Sequence, residues 1–468
     1  MATASKILVI GGGISGLACA WRLRQLGQPV LLLERSRRFG GVIDTVEEAG
    51  FRFDIGPQSF TSTPALSELI EELGLTGELV SADPRAPRYI LRSGQLLPAP
   101  LSPPRLLSTP LLCARTKLRI LSEPFRRSYP PDEDESVAAF VRRKFGADLL
   151  ANLVAPFVSG VWAGDPEKLS LASAFPGLRQ LEEHYGSVIR GAMKQRRAAS
   201  RKNSGPRPSL CNFRGGLSTL VAAMATQLGE AARTDAEITA IRRSLAEGSK
   251  AFEVAYRLAG TTQSAQVDTL IFATPAGETA RLLRGLESKF SALLEGIEYA
   301  GVAQVSAGYA VAQIKFGRSE DGLRGFGFLV PRSEGLRVLG TVWNSSLFPE
   351  RAPEGTAAFT SFLGGMTDAE IVSYEPERIA AIANAELASV LGISGSPVAQ
   401  RVCRWQRALP QYNLGYGELT AALQKLCAAS PGLFLAGNYL AGPSMGACID
   451  RANKVARDAA DYRAAFAG

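Results

Sequence analysis

The segment that most limits what this chain can fold into is Gly11-Gly-Gly13-Ile-Ser-Gly16, which joins Lys6-Ile-Leu-Val-Ile10 to Leu17-Ala-Cys-Ala-Trp-Arg-Leu-Arg-Gln-Leu26. A short apolar run, a glycine turn and a segment of helical period closed by Gly27 make a βα unit. Gly11 permits the tight turn, Gly13 lets backbone N–H groups approach a pyrophosphate, and Gly16 lets helix and strand pack closely. The helix start, with Gly12, Ile14 and Ser15 beside it, then faces the anion. The next apolar strand, Pro29-Val-Leu-Leu-Leu33, ends in Glu34, an acid placed to accept hydrogen bonds from a ribose diol. A glycine fingerprint alone is weak evidence, but here strand, turn, helix, strand and acid stand in register. Glu34 followed by Arg35 leaves FAD and NAD both open on this unit.

Composition narrows the chemistry. At 468 residues, 46% of them hydrophobic, the chain can build two or three packed units. It has no stretch of about 18 apolar residues free of charges and helix breakers, so no membrane span is expected. Met1 to Ser5 is a short polar lead rather than a signal peptide, which points to the cytoplasm. Six cysteines without a C-x-x-C pair signal neither a zinc site nor a disulfide framework, and no metal site is expected. The single histidine, His184, lies in the polar segment Leu181-Glu-Glu-His-Tyr185 and reads as a solvated helix residue, which removes histidine-based triads and multi-histidine metal sites. The formal charge is +8, and Lys194 to Arg207 carries six cations and no acid. Such a run reads first as a mobile, solvated loop, second as an attraction for anionic lipid or an acidic substrate, and only third as a nucleic-acid contact.

Further segments carry a resemblance. Arg38-Phe-Gly-Gly41 and Asp54-Ile-Gly-Pro57 resemble the second and third cofactor contacts of the amine-oxidase-like flavoprotein superfamily, which selects non-covalent FAD. In that resemblance Arg38 offsets phosphate charge, while Gly40 and Gly41 keep the backbone close to the cofactor and Val42, Gly56, Pro57, Gln58 and Ser59 continue the contact. Many relatives have asparagine where Gln58 stands, so the role of this side chain stays open. Val267 to Pro275 resembles the superfamily's return strand, and Ala236 to Ile241 the strand whose backbone meets the adenine, at Ile238. Trp405, Gly437, Asn438, Pro443, Ser444 and Met445 complete the implied cofactor set. The start of the final helix would lie under the pyrimidine edge of the flavin, where its dipole favours the reduced, electron-rich ring.

The likeness to one branch of that superfamily runs over almost the whole chain. Asp83-Pro-Arg-Ala-Pro-Arg-Tyr-Ile90, Glu135 to Val141, Pro156 to Pro166, Gly325-Phe-Gly-Phe-Leu-Val-Pro331, Leu339-Gly-Thr341, Ser346 to Pro353 and Gly437 to Gly442 are similar, in order, to the oxygen-dependent protoporphyrinogen oxidase family. That family removes six electrons from a porphyrinogen in three steps and passes them from flavin to O2, giving hydrogen peroxide, on the route to haem or chlorophyll. The resemblance implies that Arg88 pairs with a propionate of the tetrapyrrole, that Leu329 and Val342 bracket the macrocycle, that Phe362 stacks on a pyrrole ring, and that Gly160 leaves room for the substrate edge. It implies no catalytic side chain beyond the flavin.

The fold expected is α/β, with a Rossmann-like FAD-binding domain, an inserted mixed-sheet substrate domain and a helical membrane-contacting domain. The first would comprise 1–80, 215–295 and 425–468, the second 81–98 and 296–424, and the third 99–214. Within them, residues 300–365 alternate apolar and polar positions, as in Val302 to Tyr309, like strands of a substrate-covering sheet, and Pro98 to Leu121 suits an interfacial helix and loop. The expected partners are a tetrapyrrole, O2 and a membrane surface met peripherally from the cytoplasm; hand-over to ferrochelatase and a homodimer stay open. Three rival readings remain: oxidation of coproporphyrinogen III, an amine oxidase with an aromatic cage from Trp405, Tyr412 and Tyr416, and a flavin-free carrier of the Rab GDP-dissociation-inhibitor type.

Overall fold

The computed structural model describes residues 6–126, 130–201, 209–244, 252–316 and 323–467. The strand Lys6–Ile10 lies at the centre of a seven-stranded sheet, parallel to Val30–Leu33 on one side and to Thr261–Phe272 on the other. Its unbroken apolar run has a clear cause, because successive residues enter two different cores. Ile7 and Val9 pack with the helices Ile14–Gln25, Ser218–Leu228 and Met445–Ala467, while Leu8 and Ile10 pack with Ala276–Leu283, Ser288–Glu295 and Tyr416–Ala429. A parallel strand covered on both faces needs no polar alternation. Ala232–Arg233 and Leu433–Leu435 extend the parallel part, and the antiparallel pair Ala236–Arg243 and Phe252–Leu258 builds out from the first half of 261–272.

A second seven-stranded sheet runs in the order Ala399–Pro410, Tyr299–Ala310, Thr356–Gly364, Val338–Val342, Gly327–Leu329, Arg88–Arg92, Gln95–Pro98, antiparallel except where 327–329 meets 88–92. The alternation from Val302 to Tyr309 marks a strand, yet not a half-exposed one, since residues 300–309 are all buried. Its apolar positions Ala303, Val305, Ala307 and Tyr309 belong to the core packed by the helix Pro376–Leu391. Its polar positions are buried too and hydrogen-bonded: the Gln304 amide donates to the Asp54 carbonyl at 2.8 Å, and Ser306 and Thr360 share a hydrogen bond of 3.1 Å. Polarity here marks a second internal face, turned to the ribbon Asp44–Glu48 and Phe51–Ile55.

Between the strands Gln95–Pro98 and Leu210–Phe213 lies a helical stretch, from Pro103–Ser108 to Val188–Arg201. Within it the helix Ala155–Trp162 follows a π-helical turn, Leu150–Val154. Pro156 has no N–H to offer the carbonyl four residues back, and the widened turn accommodates that loss. The basic run departs from the loop expected of it: residues 194–201 form the second half of the helix Val188–Arg201, and 194–198 are exposed. Residues 202–207 of that run lie outside the described residues. A buried carboxylate starts this helix, for Glu123 accepts from the backbone N–H groups of Val188 and Ile189 and from the Ser187 hydroxyl. His184 is exposed on the helix Pro176–Tyr185, with Nδ1 2.8 Å from the Gln180 carbonyl oxygen.

Candidate active site

The glycine turn is crowded inside and bare outside. Gly11 has φ +103°, and its N–H donates to the Leu33 carbonyl at 2.9 Å. A Cβ on Gly16 would overlap the Gly11 carbonyl oxygen, and one on Gly12 would sit 2.8 Å from the Glu34 Cβ. A Cβ on Gly13 would meet nothing within 4 Å, because this residue faces an open cleft. Glu34 is fixed from both sides, accepting from the Gly12 N–H at 2.6 Å and the Ser36 N–H at 2.8 Å. A turn whose only unfilled side is the ligand side, with a carboxylate held at the end of the next strand, fits the diphosphate and ribose of a dinucleotide.

That cleft encloses about 580 Å³ and brings together most of the residues singled out from sequence. Gly11, Gly13, Ile14, Ser15, Glu34 and Arg35 form its first wall; Gly40, Gly41, Val42, Gly56, Pro57 and Gln58 form the second. Ile238 lines one end, while Trp405, Gly437, Asn438, Pro443, Ser444 and Met445 lie along the remainder. Gly12, Gly16, Arg38 and Ser59 are not on its surface. The Arg38 guanidinium instead braces the loop behind the second wall, donating to the carbonyls of Phe39, Gly41 and Ile43. The open question over Gln58 receives a structural answer. Its amide nitrogen donates to the carbonyls of Asp54 and Gly56, and its oxygen accepts from Asn344 at 2.6 Å, so the side chain ties the ribbon to the second sheet.

At the far end the cleft becomes apolar, lined by Val161, Ala163, Val302, Leu339 and Phe362 with Gly160 beside them. Strand register extends this surface. Arg88, Gly327, Val342 and Thr360 are paired in one row, and Ile90, Leu329, Gly340 and Phe362 in the row two residues away. Residues in such rows point to one face, so Arg88, Leu329 and Val342 share the face that Phe362 turns to the cleft. Arg88 is exposed there, its guanidinium over the Phe326 ring at 5.3 Å. The space above Gly160 is filled by Leu329, which a Cβ on that glycine would strike.

Several cleft residues escaped the sequence reading: Ser159, Glu278, Arg281, Tyr299, Arg407 and Cys448. Burial pushes the Tyr299 hydroxyl up to about 12 and the Cys448 thiol up to about 11, so both keep their protons near neutrality. Glu278 bridges Arg35 at 3.4 Å and Arg281 at 2.7 Å across the end near Ile238. Tyr412 and Tyr416, weighed as parts of an aromatic cage, do not line the cleft. The Tyr412 hydroxyl accepts from the Gly442 N–H and donates to the Asn438 carbonyl, and the Tyr416 hydroxyl donates to the Tyr439 carbonyl. They clamp the turn that lies along the cleft.

Comparison with known proteins agrees with this geometry. A protoporphyrinogen oxidase of Oryza sativa subsp. japonica, a chloroplastic protein, is 35% identical over 480 residues, 98% of this chain and 89% of that one. A coproporphyrinogen III oxidase of Bacillus subtilis is 28% identical, over 97% of this chain and 98% of that one. A solved structure described as a candidate protoporphyrinogen oxidase from Exiguobacterium sp. 255-15 superposes with a TM-score of 0.81 at 22% identity, covering 97% of this chain and 98% of its own, a likeness of fold. The model of one family, described as flavin containing amine oxidoreductase, matches residues 14–462, and the chain belongs to that family.

Proposed function

We propose that the protein oxidises protoporphyrinogen IX to protoporphyrin IX, consuming three O2 and giving three hydrogen peroxide, in haem or chlorophyll biosynthesis. The observation that carries the reading is the 35% identity to a protoporphyrinogen oxidase over 98% of the chain. FAD, the cofactor of this family, supplies the two-electron oxidations when bound. The chain's own residues bind, orient and enclose. The bare face of Gly13 admits the diphosphate, Glu34 accepts from the ribose, and the apolar wall of Val302, Leu339 and Phe362 shields a macrocycle from water. Arg88, on the same face as Phe362, is suited to a propionate. The division into a discontinuous cofactor unit, a substrate unit and a helical unit belongs to the same reading.

No helix among the described residues is long and apolar enough to cross a membrane. Peripheral contact from the cytoplasm is supported by Leu118, Leu121 and Phe125, exposed beside Arg115, Lys117 and Arg119, and by the exposed Phe157 and Val161. Such a surface suits hand-over of an apolar product to ferrochelatase. The second reading is coproporphyrinogen III oxidation, favoured by the near full-length match to the Bacillus subtilis protein. Turnover of the two porphyrinogens, followed by porphyrin fluorescence, decides between them. A preference for protoporphyrinogen IX is expected; a clear preference for the coproporphyrinogen refutes the first reading. A colourless protein that takes up no FAD refutes both.

A further inference from the structure

The cleft surface carries the guanidinium groups of Arg35, Arg281 and Arg407. The first two share one carboxylate, Glu278. Arg407 has no ion pair or hydrogen-bond partner among the described residues.

Its position is built by the fold. Where the strand Ala399–Pro410 pairs with Tyr299–Ala310, Trp405 stands opposite Val302 and Leu409 opposite Ala300, so residues 406–408 face Gly301 alone. Such a bulge re-aims side chains, and bulges concentrate beside functional sites. Here it brings Arg407 against Gly277, in the first turn of the helix Ala276–Leu283. A Cβ on Gly277 would overlap the Arg407 Nη1, so the absent side chain is what makes room for the guanidinium. On one side of this point Thr274 packs against Gly11 of the dinucleotide turn. On the other, Tyr299, Val302 and Leu409 begin the apolar end. The one unpaired cation on the described cleft wall thus stands beside the first turn of the helix that follows Thr274, on the same cleft surface as the dinucleotide turn and the apolar end. A guanidinium offers a planar fork of donors that matches an oxyanion.

We propose that Arg407 is an oxyanion-binding residue of the cleft, taking a phosphate oxygen of the bound dinucleotide or a carboxylate of the substrate. The proposal rests on the flavin and porphyrinogen reading above and adds a residue to it.

The test uses the full chain as wild type, R407Q and R407K. Affinity for FAD is measured on flavin-stripped protein by fluorescence titration. Affinity for protoporphyrin IX and for its dimethyl ester is measured on flavin-loaded protein. If the oxyanion is the cofactor's, R407Q weakens FAD roughly tenfold or more and R407K less, with both porphyrins unchanged. If it is the substrate's, FAD is unchanged and R407Q weakens the diacid by a similar factor but not the diester. All three affinities within about twofold of wild type, or equal losses for diacid and diester with FAD unchanged, overturn the proposal. Should R407Q not fold, wild-type protein is treated with phenylglyoxal and Arg407 is followed by peptide mass spectrometry. Protection by pyrophosphate or by protoporphyrin IX is expected, and protection by neither overturns the proposal. Failure of the wild type itself to bind FAD defeats the parent reading, and is seen before any variant is made.

Discussion

Two alanine substitutions three residues apart in the glycine turn should fail in opposite ways. Gly13 has φ −71° and ψ −179°, an extended backbone open to any residue, and no atom lies within 4 Å of the Cβ that alanine would add. Gly13→Ala should therefore leave the flavin-free protein as stable as the parent, or raise its stability by about 0.4–1 kcal/mol through the unfolded chain. If a diphosphate lies against that face, the new methyl takes its space. Losing one N–H bond to a charged oxygen costs about 1.5–3 kcal/mol, or roughly 10- to 150-fold in FAD affinity. Gly16→Ala meets protein instead: its Cβ would overlap the Gly11 carbonyl oxygen and sit 3.0 Å from the carbonyl carbon and 3.2 Å from the Ala273 Cβ. Helix and strand must separate, at about 1–3 kcal/mol or more, a large share of the ~5–15 kcal/mol that holds a domain folded. Urea unfolding of stripped protein and FAD titration measure the two quantities separately. A Gly13→Ala protein that folds normally and binds FAD as tightly as the parent refutes the assignment of this face to the diphosphate.

Other expectations follow from the same geometry. Glu278→Gln removes the carboxylate shared by Arg35 and Arg281 at one end of the cleft and leaves both guanidinium groups free to face the anionic cofactor; with exposed pairings of this kind worth about 0.5–1 kcal/mol, FAD should leave roughly two- to fivefold more slowly, with steeper salt dependence, in a stopped-flow dilution. Tyr412→Phe removes the hydroxyl that joins Asn438 to Gly442; it should lower stability by about 1 kcal/mol and shift the visible flavin bands, and an unchanged spectrum would mean that this turn does not touch the ring. Burial acts to raise the Glu182 carboxyl, but hydrogen bonds from Arg143 and Lys144 outweigh it and hold the group below its ordinary range. A lowered folded-state value means stability present above the unfolded value, near ~4.3, and lost as pH falls through the lower one. Glu182→Gln should flatten that acid-side loss in urea midpoints measured from about pH 5 downward.

What could be read from the chain alone depended on how local its cause was. The strand, glycine turn and helix at residues 6–26 obey spacings set by covalent geometry, so each glycine's task was legible from its neighbours. The helix at 188–201 was not, because the carboxylate that starts it belongs to Glu123, some 65 residues earlier. Without that cap the basic run looked like a loop. The burial of the polar positions in the strand at 299–310 was not legible, because the group that Gln304 bonds, the Asp54 backbone, is about 250 residues away. Arg407 was invisible for a related reason: a bulge shifts which residues face which side, and register cannot be deduced from one strand. Arg88, Leu329, Val342 and Phe362 were named only through family resemblance. Their common face emerges from pairing across four strands.

The rigidity of the cleft floor converges on one carboxylate. Asp54 is 1% exposed and accepts from the Thr45 hydroxyl at 2.7 Å, the Asn212 amide at 2.8 Å and the Leu217 N–H at 2.9 Å. Its charge partner is Arg351, equally buried, at 3.3 Å, and Arg351 also donates to the Phe213 carbonyl. Gly56, Pro57 and Gln58, which line the cleft, begin two residues after Asp54 in the chain. Asp54→Asn keeps the shape but leaves the Arg351 charge buried without a counter-ion, which should cost about 3–5 kcal/mol. Replacing both charges, with Asp54→Asn and Arg351→Met together, removes that penalty and should recover at least half of the lost stability. The two urea midpoints decide what kind of link this is. A double variant no more stable than the single one would mean that the hydrogen bonds to Thr45, Asn212 and Leu217, rather than the paired charge, hold the ribbon together and against the segment 212–217.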